Sequence, residues 1–336
     1  MKITTKEIAT ICGVSRGTVD RALNDRPGIN LKTKEKILRV VNELGYRPHL
    51  LARSLVKGST KTIGVVVFNL KNRFFSQLVN AIENRLREYN YFMYLTLTNK
   101  NPDEEIECLN KLASLNVDGL ILSSVNKGNE FIQYLNSIKI PIITITNIVS
   151  KNIPYVGIND SQAAKDATNY ILSNGYKQIV YISPPLKLLG KVNLFSPEQR
   201  LQGFQQVFKD MPKSVKHYKI IKGEYILELD KLLKNNKNKI AVFCSSDVYA
   251  LEVLNHLKNS GLKVPDDVGL MGFDNIDTLR YVDPSLATIN YHIEEIGHRA
   301  VDLLIKQIKG EKVPYLTYIN HNIIHGKSLI NLDNSS

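Results

Sequence analysis

Long apolar runs are missing from this chain. None exceeds about six residues, whereas a membrane-spanning helix needs roughly 18. The opening residues, Met1-Lys2-Ile3-Thr4-Thr5-Lys6-Glu7, have no apolar stretch of the kind a secretory signal carries. Cysteine is scarce: Cys12, Cys108 and Cys244 are odd in number and far apart. That excludes a disulfide framework and a metal knuckle, and makes a reducing cytoplasm the expected location. No Gly-x-Gly-x-x-Gly follows an expected strand, which argues against a dinucleotide enzyme. Gly13-Val14-Ser15-Arg16-Gly17 fits the G-x-S-x-G pattern, but an expected helix precedes the serine where a nucleophile elbow requires a strand. Gly326-Lys327-Ser328 ends like a phosphate loop, yet the earlier glycine position holds His321. His292 and His298 lack the H-E-x-x-H spacing, and His321 and His325 fall in an expected strand or loop that holds them apart. All four read as surface or structural histidines. No enzyme, cofactor or metal is expected.

What is present is an uneven distribution of charge. The 336 residues carry a net +12. Residues 1–60 hold twelve Lys and Arg against five Asp and Glu, a net +7, which leaves only +5 for the other 276 residues. A basic head on a nearly neutral body is the footprint of a nucleic-acid-binding module, although a solvated basic surface has the same composition.

The head reads as short helices. Thr4 and Glu7 have capping-box spacing, and Ile8, Ala9 and Ile11 supply an apolar face. Gly13 breaks that helix, and Ser15 is an N-cap for a second over roughly 16–23. Val19, Ala22 and Leu23 share one face of it, leaving Arg16, Gly17, Asp20 and Arg21 on the others. A third helix is expected from Leu31 or Lys32 to Leu44, with Gly45 as its stop. Two helices joined by a tight glycine-containing turn and braced by a third form a helix-turn-helix. Residues 48–55 are too short for a stable isolated helix and need a partner, such as a second copy or a DNA groove.

From residue 62 the pattern alternates between strand and helix. Apolar runs at 63–68, 91–97, 117–122, 141–145, 179–182, 240–244 and 268–272 predict buried strands. Helical stretches at about 74–89, 103–115, 129–137, 160–173, 197–209, 247–260 and 293–309 lie between them. The implied fold class is α/β, with parallel sheets covered by helices on both faces. About 270 residues is long for one such sheet, so two doubly wound lobes are expected, with ligand chemistry just beyond the strands' carboxyl ends.

Several segments together resemble one family. Thr5-Lys6-Glu7-Ile8-Ala9, Gly13-Val14-Ser15, Thr18-Val19, Arg21, Leu23-Asn24 and Glu43-Leu44-Gly45-Tyr46-Arg47-Pro48 are similar to the head of the LacI/GalR bacterial transcription regulators. Ala52-Arg53-Ser54-Leu55, Asp118-Gly119-Leu120-Ile121, Arg200-Leu201, Gly203-Phe204, Ser246-Asp247, Ala250-Leu251 and Gly272-Phe273-Asp274-Asn275 continue the resemblance in order along the chain.

The resemblance implies a helix-turn-helix domain at 1–47, a hinge helix and linker at 48–60, and a core at 61–333 like the periplasmic sugar-binding proteins. Its N-lobe would comprise about 61–159 and 291–318, and its C-lobe about 160–290 and 319–333. In the head it implies that Arg16, Gly17 and Arg21 face base edges, arginine being the bidentate partner of guanine. Gly17 departs from the family's side-chain-bearing residue and would read nothing itself. Asp20 replaces a common serine; it could accept from cytosine, repel a phosphate or pair with Arg21, the last being favoured. Thr5, Ser15, Thr18 and Asn24 would contact or position phosphates. Leu55 would wedge between base pairs in the minor groove, with Ala52 facing the groove floor.

In the core, Arg200, Asp247 and Asp274 match charged ligand-gripping positions. Phe74, Phe75 and Tyr225 would form walls, and Ser124, Asn147 and Ser246 polar contacts. The implied function is a homodimeric regulator, most often a repressor. It would bind a palindromic double-stranded DNA operator in the cytoplasm, at the nucleoid, and respond to a small polar metabolite, a sugar or sugar derivative. No membrane partner is expected. The competing reading is a solute receptor without DNA function.

Overall fold

The computed structural model describes residues 3–46, 59–186, 192–209, 211–235 and 238–332. By contacts the chain forms two units, Met1–Thr60 and Lys61–Ser336.

In the first unit, α1 spans Thr5–Cys12, α2 Arg16–Leu23 and α3 Leu31–Glu43. The Thr4–Glu7 capping box is formed in both directions. Gly13 ends α1 with φ 66°, a left-handed conformation that costs glycine nothing. Ser15 then caps α2, its side chain accepting from the Thr18 amide at 3.1 Å. Ile8, Val19 and Ile37, one from each helix, are fully buried together. That small core fixes α2 with its polar faces outward.

The second unit is built on two parallel sheets. β1 (Thr62–Val67), β2 (Phe92–Leu97), β3 (Gly119–Leu122), β4 (Ile142–Ile145), β5 (Tyr155–Gly157) and β11 (Leu316–Tyr318) form the first, in the order β11-β5-β4-β3-β1-β2. β6 (Gln178–Ile182), β7 (Lys216–Ile220), β8 (Ile240–Cys244) and β9 (Val268–Met271) form the second, in the order β7-β6-β8-β9. β10 (Thr288–Asn290) and β12 (Asn322–Ile324) pair antiparallel. Among the described residues the helices are α4 (Arg73–Glu88), α5 (Pro102–Ser114), α6 (Asn129–Ile138), α7 (Asp160–Ser173), α8 (Phe195–Val207), α9 (Tyr225–Lys234), α10 (Asp247–Asn259) and α11 (Ile293–Ile308).

Central strands are buried along their whole length, as expected where helices cover both sheet faces. Helices approach closely where glycine allows it. A Cβ at Gly203 of α8 would lie 2.0 Å from the Ser161 carbonyl of α7. A Cβ at Gly297 of α11 would lie 2.8 Å from the Ala81 Cβ of α4. The chain passes between the lobes three times: from β5 to α7, from β10 to α11, and from β11 to β12.

Each sheet reverses its strand order once, between β1 and β3 in the first and between β6 and β8 in the second. Ligands in doubly wound folds bind at such points, beyond the strands' carboxyl ends. The residues that follow these strands are therefore Phe68, Ser123, Ser183 and Ser245.

Five short strands and one helix escaped the sequence patterns. β7 reads Lys-His-Tyr-Lys-Ile and buries only its last residue, so an edge strand left no apolar run. β5, β10, β11 and β12 are three residues each, shorter than any periodicity. α9 is a ten-residue helix that buries only Tyr225 and Leu229.

Candidate nucleic-acid face and ligand cleft

The outward face of α2 carries Arg16, Gly17, Asp20 and Arg21, all exposed. Ser15 and Thr18 are bound to each other, Oγ to Oγ1 at 2.9 Å, so the cap also orients the hydroxyl groups at the head of α2. Thr5 is half-buried at the start of α1. Asn24 caps the far end of α2, its amide donating to the Asp20 carbonyl at 2.9 Å and the Asp20 carboxylate at 2.7 Å. The expected Asp20–Arg21 pair is corrected: Asp20 pairs with Arg26 at 3.1 Å. Neighbours on a helix point about 100° apart, while Arg26 returns beneath Asp20 after the helix ends. A Cβ at Gly17 would meet only Ser15 Oγ, at an ordinary contact distance of 3.7 Å. Packing in the head therefore does not require glycine there. Ala52 and Leu55, and the hinge helix expected around them, lie outside the described residues.

Between the lobes of the second unit lies a cavity of about 710 Å³, at the switch points of both sheets. Its floor is ionic. The Arg200 Nε donates to Asp160 at 2.7 Å, and its Nη1 to the Ser245 carbonyl at 2.6 Å and to Asp274 at 3.2 Å. The guanidinium lies over the Phe273 ring at 3.8 Å. Burial opposes the charge on Arg200, but Asp160 and Asp274 outweigh it and raise the arginine's pKa, so the cation is retained. Burial pushes both carboxyls up, Asp274 well above the usual range. Asp274 also has φ 123°, a strained backbone for a residue with a side chain.

Phe74, Phe75, Asn147, Arg200, Ser246 and Asp274, all singled out from the sequence, line this cavity. Ser124, Tyr225 and Asp247 do not. The Ser124 hydroxyl donates to the Asn126 carbonyl at 2.9 Å. Tyr225 stands one layer behind the wall: its hydroxyl donates to Glu252 and its ring meets Tyr249 edge-on, and both of those residues face the cavity. Asp247 accepts from Thr288 Oγ1 at 2.7 Å and from the Ile276 amide at 2.9 Å. Its carboxylate thus holds the loop that carries strained Asp274. Burial pushes the Asp247 carboxyl up to about 6.

Sequence reasoning missed Tyr291, Ser196, Asn193 and Asp160. Tyr291 follows a three-residue strand and packs edge-on to Phe74, ring centroids 5.0 Å apart. Asn193 and Asn147 join the lobes: Asn147 donates to the Ser124 and Asn193 carbonyls at 2.9 and 3.1 Å, and Asn193 to that of Ile148 at 3.1 Å. Arg73 of α4 also joins the lobes, donating to the Asp277 carboxylate at 2.7 and 2.5 Å. No group of His, Cys, Asp and Glu among the described residues is arranged to hold a metal ion. No helix among them is long and apolar enough to cross a membrane.

Residues 4–49 match the model of the lacI family of bacterial regulatory proteins, and residues 168–329 that of a periplasmic binding protein-like domain. The chain is 31% identical over 319 residues to catabolite control protein A of Priestia megaterium, covering 93% of this chain and 95% of that protein. Among solved structures it resembles a periplasmic binding protein/LacI transcriptional regulator from Alkaliphilus metalliredigens complexed with D-xylulofuranose. That likeness has TM-score 0.68 and 28% identity, over 80% of this chain and 99% of the other. The lac repressor dimer bound to operator and the anti-inducer ONPF shares the fold, at TM-score 0.85 and 21% identity over 98% of this chain and all of that one. A helix-turn-helix head with outward arginines and a two-lobed cleft thus meet a relative similar over nearly the whole length: the chain belongs to the LacI family of bacterial regulatory proteins, DNA-binding transcription regulators with a periplasmic-binding-protein-like ligand domain.

Proposed function

We propose that the protein is a repressor of carbohydrate-utilisation genes that binds a palindromic operator as a homodimer and is switched by a small sugar-like effector. Its parts are a head at 1–47, a hinge at 48–60 and a two-lobed core at 61–333. The cleft carries this reading. A sugar presents hydroxyls at its edges and C–H groups on its faces. The cavity offers an arginine between two acids for the edges and the rings of Phe74, Phe75 and Tyr291 for the faces. The similar regulator from Alkaliphilus metalliredigens holds D-xylulofuranose.

In the head, Arg16 and Arg21 read base edges, Thr5, Ser15, Thr18 and Asn24 set the register on the backbone, and Gly17 leaves space above one base pair. Ala52 and Leu55 act in the minor groove. In the core, Phe74, Phe75, Asn147, Arg200, Ser246 and Asp274 take the effector. Exposed aromatic side chains support the dimer. Phe92 and Tyr94 on edge strand β2 are 64% and 48% exposed, and Tyr281 is 77% exposed. Effector held on the floor and packed against Phe74 and Phe75 engages both lobes and shifts the balance between open and closed forms, and that balance is coupled to DNA affinity.

The test is to mix the purified chain with fragmented genomic DNA from its own source and sequence what it retains. A short palindrome beside sugar-utilisation genes, released or retained according to added sugar, is the expected result. Recovery of nothing specific, with and without cell extract, would sink the proposal.

A further inference from the structure

Asp20 sits in the outward face of α2, one turn beyond Arg16 and three residues beyond Gly17. Its carboxylate has two partners, Asn24 on one oxygen at 2.7 Å and Arg26 on the other at 3.1 Å. The backbone brings Arg26 to that place. Asp25 takes φ 51°, and the Arg26 amide then donates back to the Arg21 carbonyl at 3.0 Å. Such a left-handed turn closes the end of the helix and folds the next side chain beneath it. Asp25 itself is diverted to Lys34, so it leaves the charge of Arg26 alone. Asp20 and Arg26 are about half exposed, at 52% and 48%, and a pair in that setting adds little to stability. What it does is hold a long, mobile guanidinium against the face that carries Arg16 and Arg21.

We infer that Arg26 is a further DNA contact of the recognition face and that Asp20 is the positioning residue that presents it, neither a reader of cytosine nor a plain repeller of phosphate. The guanidinium keeps free N–H groups after meeting one carboxylate oxygen, and a phosphate beside α2 can take them bidentately. Asp20 in turn remains satisfied by Asn24 and Arg26, so bringing DNA to the face leaves no carboxylate unpaired.

This inference rests on the proposed use of α2 as the DNA face, and the test separates the two. The full chain is titrated onto a labelled mixed-sequence duplex of about 30 base pairs at salt concentrations between about 50 and 200 mM. Wild type, Arg26→Ala, Asp20→Asn and the double variant are compared, with Arg21→Glu as the control and circular dichroism to verify the fold. Each phosphate contact contributes about 0.9 to the slope of log affinity against log salt. Arg26→Ala removes one contact from each subunit of the proposed dimer and is expected to flatten the slope by about twice that amount, and by clearly less when Asp20 is already Asn; Arg26→Lys should restore part of it. An unchanged slope for Arg26→Ala overturns the contact. An equal loss in both backgrounds overturns the positioning role, and a larger loss in the Asp20→Asn background shows that Asp20 masks Arg26. If Arg21→Glu, which puts a negative charge on the face, binds the duplex as tightly as wild type, the α2 face itself is misassigned. If Arg21→Glu weakens binding and Arg26→Ala leaves the slope unchanged, only the present inference fails.

Discussion

Asp247 gives a pH signature that can be isolated by one substitution. Its carboxyl is fully buried, and burial raises it to about 6 from an ordinary 3.8. The direction is the reverse of the usual one for aspartate. Between those two values the folded chain holds the proton and the unfolded chain does not, so stability is gained as pH falls through about 6 and levels off below 3.8. From pH 7.5 down to 4.5 the group should stabilise the fold by about 2 kcal/mol.

Asn at this position keeps the geometry. Its oxygen accepts from the Ile276 amide. Its amide donates to Thr288 Oγ1, whose own proton turns toward the Ile289 carbonyl, now 3.5 Å away. Asp247→Asn should therefore fold, with stability within about 1 kcal/mol of wild type near neutrality. It should lose the share of acid stabilisation that Asp247 supplies. The assay is urea unfolding of both proteins at several pH values from 4.5 to 7.5, read as the difference between them. Asp160 and Glu105 are also raised by burial, and they cancel in that difference; Asp274, which the Asp247 charge helps to raise, loses part of its own acid stabilisation in the variant and adds to the difference in the same direction. A difference that stays constant across the range would refute the reasoning, because Asp247 would then titrate alike folded and unfolded.

Gly203→Ala should destabilise the core by about 1–3 kcal/mol or more, since its methyl would lie 2.0 Å from the Ser161 carbonyl; a denaturant midpoint equal to wild type would contradict the contact. Gly17→Ala should slow amide exchange in α2, reflecting about 0.5–1 kcal/mol of helix stabilisation where the nearest neighbour is 3.7 Å away; unchanged exchange would mean the glycine already carries no penalty. Arg200→Met leaves Asp160 and Asp274 buried without their cation and should cost about 3–5 kcal/mol at neutral pH. Part of that loss should return as pH falls and the two acids, both raised by burial, take up protons, and melting temperature against pH reads the difference.

The head was legible nearly residue by residue, because caps and helix stops are local chemistry. Thr4, Glu7, Gly13 and Ser15 do in the structure what their spacing indicates. Strands buried on both faces announced themselves as apolar runs, whereas β7, whose Lys216 and His217 stay in solvent, did not. In the cleft, Arg200 and Asp274 could be marked, but the acid nearest Arg200 could not. Asp160 opens α7 and reads as an ordinary residue of a helix's first turn, yet it meets Arg200 across 40 positions. Asp247 shows the opposite failure. It sits three residues past the end of β8, where a ligand contact is expected, and the structure gives its oxygens to Thr288 and the backbone. Position along a strand locates the cleft; which way each side chain turns is decided by partners far along the chain.

The threefold passage of the chain between lobes has a consequence for synthesis. Neither lobe is one stretch of sequence. The first sheet lacks its outer strand until Leu316–Tyr318 has emerged. The second lobe waits for Ser328, whose carbonyl accepts from the Leu270 amide and whose hydroxyl accepts from the Ala287 amide, and for Leu332, whose amide donates to the Asn174 carbonyl. The head needs nothing beyond its own three helices to close its core. A ribosome making this protein therefore exposes everything the head needs first, and both halves of the cleft stay unfinished until residues 316–332 have emerged. A chain cut short before Leu316 would carry a DNA-binding head without a completed sensor.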